Sequence, residues 1–227
     1  MIATDGAGSG AAVTDVLDLT GGAGNVGLGS GSLGSSLTTG TDNVAIGENA
    51  GDALSTGSDN TLVGDNAGGA LTTGGENIAI GSAALDAEDT GNRSVAIGFE
   101  ALTAQNNDAN NYNVAVGYVA GKAVTSGIRN NFFGAESGEA VTTGDDNIAI
   151  GYQALTSETA GNRSIAIGGN ALDAQNSSTD TSMYNVAVGY AAGGSITTGQ
   201  FNTLIGGIAG DALTTGTRNV VVGYNAL

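Results

Sequence analysis

A five-residue pattern that closes on glycine, typified by Asn43-Val44-Ala45-Ile46-Gly47, recurs along most of this chain and limits its fold more than any other feature. The closing glycines are Gly29, Gly47, Gly64, Gly81, Gly98, Gly117, Gly134, Gly151, Gly168, Gly189, Gly206 and Gly223. Their spacing is 17 residues in most steps and 18, 19 or 21 residues in the other three. A short period that is nearly constant indicates a solenoid, in which each coil packs against its neighbours. We therefore predict an all-β parallel β-solenoid of about twelve 17-residue coils.

The first 24 residues lie outside this repeat. They are rich in glycine and contain one short apolar segment, from Val13 to Leu19. Solenoids need atypical ends, because an uncapped terminal coil exposes the edge of its strand. We predict two parts, a leader or cap at residues 1–24 and a β-solenoid repeat domain at residues 25–227.

Asparagine, or in two coils serine, stands four residues before each closing glycine. These positions are Asn25, Asn43, Asn60, Asn77, Ser94, Asn113, Asn130, Asn147, Ser164, Asn185, Asn202 and Asn219. Stacked one coil apart, side-chain amides can form hydrogen bonds along the solenoid axis and bind the backbone of the turns. We expect this asparagine ladder to hold one corner of every coil. The residues that follow it are mostly β-branched or aliphatic, which indicates a short β-strand.

The large aliphatic residue of each coil occupies one of two positions after the closing glycine. In some coils it comes late, as at Leu54, and in others it comes early, as at Leu85, with Glu88 at the late position. The two kinds of coil alternate in pairs, so the structural unit is four coils. One large residue per coil is what a closely packed interior of fixed volume requires. Two columns of small residues, which begin at Ala50 and Ala53, predict two close-packed sides.

Composition excludes several functions. The chain has no cysteine and no histidine, so it lacks the commonest nucleophile, general base and zinc ligand, and we predict that it is not an enzyme and has no catalytic or cofactor-binding residues. A carbohydrate-active β-helix enzyme is the least favoured alternative, because no pair of acids has a distinctive spacing. The net charge of −17 predicts no nucleic-acid partner. No apolar run approaches the roughly 20 residues of a membrane span, so no membrane insertion is predicted.

Acidic residues near the turns raise the alternative of calcium binding. The candidates are Asp42, Asp59, Glu76, Asp145 and Asp146, whose carboxylate oxygens suit a hard cation. The same column also holds arginine, tyrosine and phenylalanine, which a regular calcium ladder would not tolerate. We therefore interpret these residues as solvated charge and predict no required cofactor.

The turns raise a second alternative. Coils close through segments such as Thr72-Thr73-Gly74, whose glycine is predicted to supply a positive φ. Threonine pairs stacked one coil apart would also form the flat ladders of an ice-binding solenoid. The ladder is broken at Asp89-Thr90, so turn formation is the simpler account of these threonines.

The repeat resembles two groups of surface-attachment proteins. Residues 43–47 (Asn-Val-Ala-Ile-Gly), 94–98 (Ser-Val-Ala-Ile-Gly) and 164–168 (Ser-Ile-Ala-Ile-Gly) are similar to the head repeats of trimeric autotransporter adhesins of the YadA type. Residues 147–155 (Asn-Ile-Ala-Ile-Gly-Tyr-Gln-Ala-Leu) resemble repeats of bacteriophage tail fibres even more closely. The resemblance implies a left-handed parallel β-roll that assembles as a homotrimer and attaches to a cell-surface receptor or glycan. The implied location is a virion or the extracellular or cell surface, and a subunit of an extracellular filament is the alternative.

The middle residue of each predicted strand is the candidate oligomer interface. Alternate side chains of a strand face opposite ways, so if Val44 and Ile46 point into the coil, Ala45 points out. The predicted outward column is Ala45, Leu62, Ala79, Ala96, Ala115, Phe132, Ala149, Ala166, Ala187, Leu204 and Val221. This column has no polar side chain, and an apolar stripe along a fibre needs cover, so we predict a homotrimer packed through it. The alternative is that the column turns inward within one chain.

Overall fold

The computed structural model describes residues 24–227, which form a parallel β-solenoid of twelve coils with one three-residue strand in each. The twelve strands pair in chain order into a single parallel sheet, and no helix occurs among these residues. The predicted fold class is therefore confirmed. The predicted leader or cap lies outside the described residues, apart from Gly24.

The strands begin one residue after the asparagine ladder in every coil. The main sheet contains β1 Val26–Leu28, β2 Val44–Ile46, β3 Thr61–Val63, β4 Ile78–Ile80, β5 Val95–Ile97, β6 Val114–Val116, β7 Asn131–Phe133, β8 Ile148–Ile150, β10 Ile165–Ile167, β12 Val186–Val188, β13 Thr203–Ile205 and β14 Val220–Val222. A second, two-stranded parallel sheet pairs β9 Gly161–Asn162 with β11 Thr181–Ser182, and β11 lies in the longest connection, one coil after β9. The equivalent connection one unit earlier makes a single parallel bridge between Asn92 and Asn110.

Each closing glycine occupies a backbone conformation and a space that other residues cannot share. Gly64 has a φ of +138°, and a Cβ built on it would lie 2.5 Å from the carbonyl oxygen of Gly81 in the next coil. The same close approach recurs from coil to coil, which explains why the repeat keeps glycine here. The turn glycines differ from prediction, because Gly57 and Gly74 do not have positive φ. They are required for space, since a Cβ on Gly57 would lie 2.2 Å from the Gly74 carbonyl oxygen.

The asparagine ladder is confirmed. The Asn60 side chain accepts a hydrogen bond at Oδ1 from the backbone N–H of Asn77, at 3.1 Å, and donates from Nδ2 to the carbonyl of Gly74, at 2.9 Å. The same pair of bonds repeats along the chain, and every member of the ladder through Asn202 is buried. Each asparagine thus joins the start of the next strand to a turn of its own coil, so buried backbone groups are satisfied without water.

The orientation predicted for the strands is wrong. The middle residue of each strand points into the coil, and its two neighbours point out, so the alternative in which the column turns inward is correct. The buried residues that were predicted to face a partner are Ala45, Leu62, Ala79, Ala96, Ala115, Phe132, Ala149, Ala166, Ala187, Leu204 and Val221. A narrow coil has room for one side chain per strand, because the Ala50 column and one large aliphatic residue fill the rest. Ile150, on the other side of its strand, is 40% exposed.

The three large residues of the inward column fill interior space that pairs of glycines leave open. A Cβ on Gly121 or on Gly138 would lie 2.7 Å or 2.4 Å from the Phe132 ring, so this ring occupies the volume between two adjacent coils. Leu62 lies in the same way between Gly51 and Gly68. Leu204 repeats the arrangement in the third unit. These residues therefore set the packing within one chain.

Coils with an early leucine have alanine at the strand centre instead. Leu85, Leu102, Leu155 and Leu172 are all fully buried, as are the glutamate or glutamine at the late position of the same coils. The predicted exchange between two aliphatic positions is thus confirmed. The second column of small residues differs from prediction, because Ala53 and its equivalents are half-buried or exposed and lie at the surface.

Candidate functional site

The outer face of the main sheet is an exposed, mostly apolar surface. The residue before each strand centre forms the first outer column, and the residue after it forms the second. The second column is Leu28, Ile46, Val63, Ile80, Ile97, Val116, Phe133, Ile150, Ile167, Val188, Ile205 and Val222, and the first is apolar except at Thr61, Asn131 and Thr203. These side chains are half-buried or exposed, with Phe133 at 41% and Ile205 at 43%.

The outer face is an apolar stripe that runs along the whole main sheet. Twelve strands at about 4.8 Å spacing give a length of roughly 53 Å, and three residues per strand give a width of roughly 10 Å. Strands that are apolar on both faces are normally covered on both. The outer face is therefore a candidate interface, and the residues that form it are the neighbours of those predicted from the sequence.

The edge of the outer face where the strands begin is lined with charged and aromatic side chains. Arg93 forms a bidentate pair with Glu76, with Nε to Oε2 at 2.8 Å, and its guanidinium lies over the Tyr112 ring. This pairing lowers the pKa of Glu76 and raises that of Arg93. Arg129 pairs with Asp146 in the same way and lowers its pKa.

The calcium candidates do not converge on a common point. Two of them, Glu76 and Asp146, are held in the ion pairs with arginine. Within residues 24–227, no three acidic side chains come together as a metal site. Glu76, Asp145 and Asp146 therefore act as partners of arginine.

The opposite edge of the outer face, one residue after the closing glycines, carries a row of exposed aromatic side chains. This aromatic column consists of Phe99, Tyr118, Tyr152, Tyr190 and Tyr224. Exposure ranges from 44% at Phe99 to 80% at Tyr224. The rings of Phe99 and Tyr118 are stacked with centroids 5.6 Å apart. The sequence reading did not single out this column, although the recurrence of aromatic residues after the closing glycine was visible.

Two buried carboxylates, Glu88 and Glu158, lie beside the two serine positions of the ladder and bond to the glutamines there. Glu88 accepts hydrogen bonds from the Gly91 amide at 2.8 Å, from Gln105 Nε2 at 2.9 Å and from Asn111 Nδ2 at 3.0 Å. Burial raises the pKa of Glu88. Glu158 occupies the equivalent position 70 residues later and accepts bonds from three backbone amides and from Gln175. Both carboxylates are closed off from solvent and bonded to the chain itself, so the clusters are structural.

The threonines of the turns use their hydroxyl groups within the solenoid. Thr72 Oγ1 donates to the carbonyl of Asp89 at 3.1 Å, and Thr142 Oγ1 donates to that of Thr159 at 3.0 Å. The equivalent bond recurs at Thr38, Thr125 and Thr197 in their own coils. A hydroxyl that is bonded to the next coil is less available to order water, which supports the interpretation of these residues as turn formers.

Thr103, Lys122, Glu139 and Thr156 border an open surface pocket, whose floor is formed by the half-buried alanines Ala104, Ala123 and Ala140. None of the described residues forms a helix long and apolar enough to cross a membrane.

Comparisons with protein-family models, with curated proteins and with solved structures found no match. The fold and its surfaces are therefore the basis for a functional proposal.

Proposed function

We propose that this chain is a structural fibre or attachment protein, built as a homotrimer in which the outer faces of three solenoids pack together. The single observation that carries the proposal is that apolar face, which runs the full length of the described solenoid. The location proposed for such a fibre is a virion or the extracellular or cell surface. The resemblance of the repeat to adhesin heads and tail fibres supports the same function.

Exposure of the apolar outer face to water is unfavourable in free energy. Apolar surface contributes roughly 25 cal/mol for each Å² removed from water, so a flat stripe of branched side chains gains from association with a like surface. The largest apolar patch on a typical monomer is about 300–600 Å², and such patches are commonly interaction sites. The roughly 10 by 53 Å face reaches that range before its flanking aromatic side chains are counted.

Every copy of this chain presents the same outer face, which favours self-association over binding to a different protein. The second outer column is apolar in every coil, and the polar positions of the first column, Thr61, Asn131 and Thr203, recur once in each four-coil unit. Parallel copies in register would bring these polar positions together at the same heights and keep apolar residues opposite apolar residues. A closed ring of copies would leave no outer face exposed.

Two neighbouring phenylalanines provide a matched test. Phe133 is 41% exposed on the outer face, whereas Phe132 is fully buried inside the coil. We expect wild-type protein to show three times the chain mass by light scattering. Phe133→Lys should dissociate the assembly and keep the β-sheet circular dichroism, because it places three ammonium groups in one apolar contact. Phe132→Lys should instead unfold the surrounding coils, since it buries a charge within one chain.

Phe133→Lys is expected to lose the assembly, whereas Phe132→Lys is expected to lose the fold. The two results together show which phenylalanine lies at the contact between chains. A wild-type chain that is monomeric at micromolar concentration would overturn it. So would a Phe133→Lys variant that retains the wild-type mass, because the outer face would then not be the contact. The ice-binding alternative is checked on the same samples by thermal hysteresis, which we expect to be absent.

A further inference from the structure

The aromatic column runs from coil to coil along the solenoid. Its residues are in register because the backbone joins each coil to the next at this point. The amide of Glu136 donates to the carbonyl of Tyr118 at 2.9 Å, and that of Asn170 donates to the carbonyl of Tyr152 at 2.9 Å. The amide of Ile208 donates to the carbonyl of Tyr190 at 2.8 Å. The rings are therefore separated only by the rise of the coils.

From Tyr118 onwards the aromatic column has one ring in every second coil. Tyr118, Tyr152, Tyr190 and Tyr224 alternate with Ala135, Gly169 and Gly207. Two coils rise about 9.6 Å, at about 4.8 Å for each strand. A row of exposed rings with a constant spacing suits a ligand that is itself linear and periodic.

The glycines between the rings allow the rings to lie close to the backbone. A Cβ on Gly169 would lie 3.6 Å from Cδ2 of Tyr190, and one on Gly207 would lie 3.4 Å from Cδ2 of Tyr224. Each of these rings thus covers the glycine of the preceding coil. The ring is supported by the solenoid while more than half of its residue remains exposed, at 66% for Tyr190. Such a ring is a preformed contact that loses little conformational freedom on binding.

Polar side chains occupy the next position in three neighbouring coils around Tyr152, at Glu136, Gln153 and Asn170, whereas Val119 and Ala191 follow Tyr118 and Tyr190. Gln153 Nε2 donates to Glu136 Oε2 at 2.7 Å, and Asn170 Nδ2 donates to Gln153 Oε1 at 3.1 Å. This chain of amides and carboxylate is half-buried and fixed by its own hydrogen bonds. Aromatic rings beside oriented amide and carboxylate groups offer both an apolar contact and partners for hydroxyl groups.

We propose that the aromatic column binds one chain of an extended, uncharged β-1,4-linked polysaccharide laid along the solenoid axis. In such a chain successive sugars are turned over by about half a turn, so that every second sugar presents the same face. The CH groups of that face pack on an aromatic ring, and the length of two sugars is close to the rise of two coils. The hydroxyl groups at the sugar edge then reach the Glu136, Gln153 and Asn170 side chains.

Charge decides between this ligand and other periodic polymers. Single-stranded nucleic acid also stacks on exposed rings, but it needs a positively charged groove. The chain has a net charge of −17, which repels nucleic acid and acidic polysaccharides alike. An uncharged polysaccharide has no such penalty. The inference rests on the proposed attachment function, for which it names the class of ligand.

The test uses soluble hexasaccharides and two matched double variants. Isothermal titration measures the binding of cellohexaose and chitohexaose to the full chain, with maltohexaose as the coiled, α-linked control. The double variant Tyr152→Ala/Tyr190→Ala removes two rings of the aromatic column. The control Tyr112→Ala/Tyr184→Ala removes two rings of similar exposure from the opposite edge of the outer face. We expect wild type and control to bind a β-1,4-linked hexasaccharide and the first variant to bind about tenfold or more weakly.

Several results would overturn this inference. They are no binding of either β-1,4-linked hexasaccharide by wild type at millimolar concentration, equal binding of maltohexaose, or an equal loss in both double variants. Light scattering on the same samples separates the two proposals. An assembled chain that binds no hexasaccharide rejects the ligand alone, whereas a monomer that binds rejects the trimer alone. Dissociation by Tyr152→Ala/Tyr190→Ala without sugar binding would assign the rings to the assembly contact.

Discussion

Asparagine corners and serine corners of the same ladder satisfy the chain by different means. Asn147 reaches both its targets alone, with Nδ2 at 2.8 Å from the Gly161 carbonyl and Oδ1 at 3.0 Å from the Ser164 amide. Ser164 is too short to do this. Gln175 enters from the late position of its coil and donates to Ser164 Oγ at 2.9 Å and to Glu158 Oε2 at 2.8 Å.

Where serine replaces asparagine in the ladder, the neighbouring residues of the corner change as well. Ser94 has the same partners as Ser164, because Gln105 donates to Ser94 Oγ at 2.8 Å and accepts from Asn113 Nδ2 at 2.8 Å. The exchange brings a carboxylate, Glu88, into the interior, where neutral donors hold it. An asparagine corner needs one residue, whereas a serine corner needs three that fit each other.

Removal of a buried glutamate should have the largest effect. Glu158→Ala leaves the amides of Thr159, Gly161 and Ser177 without this acceptor, and the Gln175 side chain loses one of its two acceptors. We expect a loss of about 3–5 kcal/mol in the free energy of unfolding, measured by urea denaturation. The control Glu48→Ala, at an exposed position, should change it by less than about 0.5 kcal/mol. Similar losses for the two variants would contradict a structural role for Glu158.

Replacement of an asparagine corner should cost less. Asn147→Ala leaves the Gly161 carbonyl and the Ser164 amide unpaired, and we expect a loss of about 2–3 kcal/mol. Asn147→Ser tests the comparison directly, because serine occurs at this corner only with a glutamine and a glutamate beside it. We expect Asn147→Ser to cost nearly as much as Asn147→Ala in the same denaturation experiment. A serine variant close to wild type would show that the three residues of a serine corner are not interdependent.

The pH dependence of stability should distinguish the serine corner of Glu88 from the neutral corners. Burial raises the pKa of Glu88, so the folded chain holds this proton more tightly than the unfolded chain does. The contribution of Glu88 to stability is then fully present below the ordinary glutamate pKa and is lost as the pH rises through the folded value. Glu88→Gln removes this titration. We expect its stability relative to wild type to increase between roughly pH 4 and pH 7 in urea titrations, and a flat or decreasing difference would contradict the assignment.

The exposed ion pair of Arg129 with Asp146 should have the smallest effect. Its guanidinium lowers the pKa of Asp146, so the contribution of Asp146 is present above the ordinary aspartate pKa and is lost as the pH falls through the lowered value. Arg129→Gln should reduce stability by less than about 1 kcal/mol, and the loss should shrink in concentrated salt. A salt-independent loss as large as that of Glu158→Ala would show that the edge charges stabilise the coils as strongly as the buried carboxylates.

The sequence predicted the solenoid, its coil number, the asparagine ladder and the exchange between Leu54-type and Leu85-type positions. It did not predict which way the strands face. A three-residue strand that is apolar on both sides has two orientations, and periodicity alone cannot choose between them. A signal was present, because the large strand centres Leu62 and Phe132 occur only in coils that have glycine at the early position. Compensation of volume within one chain indicates a shared interior.

The buried carboxylates and the aromatic column could also have been found only in part. The sequence pattern places Glu88 at the late aliphatic position, but its link to Gln105 and Ser94 needed the geometry, since the three are separated by up to 17 residues in the chain. The exposure of Tyr152 and Tyr190 depends on which way the neighbouring strands face. Their exposure could therefore be assigned only when the structure showed the orientation of the strands.

The pairing of each strand with the next one along the chain has a consequence for the speed of folding. All-β domains usually fold slowly, because their strands pair with distant parts of the chain. Here paired residues such as Val44 and Thr61 are 17 positions apart in a chain of 227, a separation closer to that of helical bundles, whose relative contact order is roughly 0.07–0.12. Each new coil closes only a short loop on an existing edge. We therefore expect folding to start in any unit and to extend coil by coil in both directions.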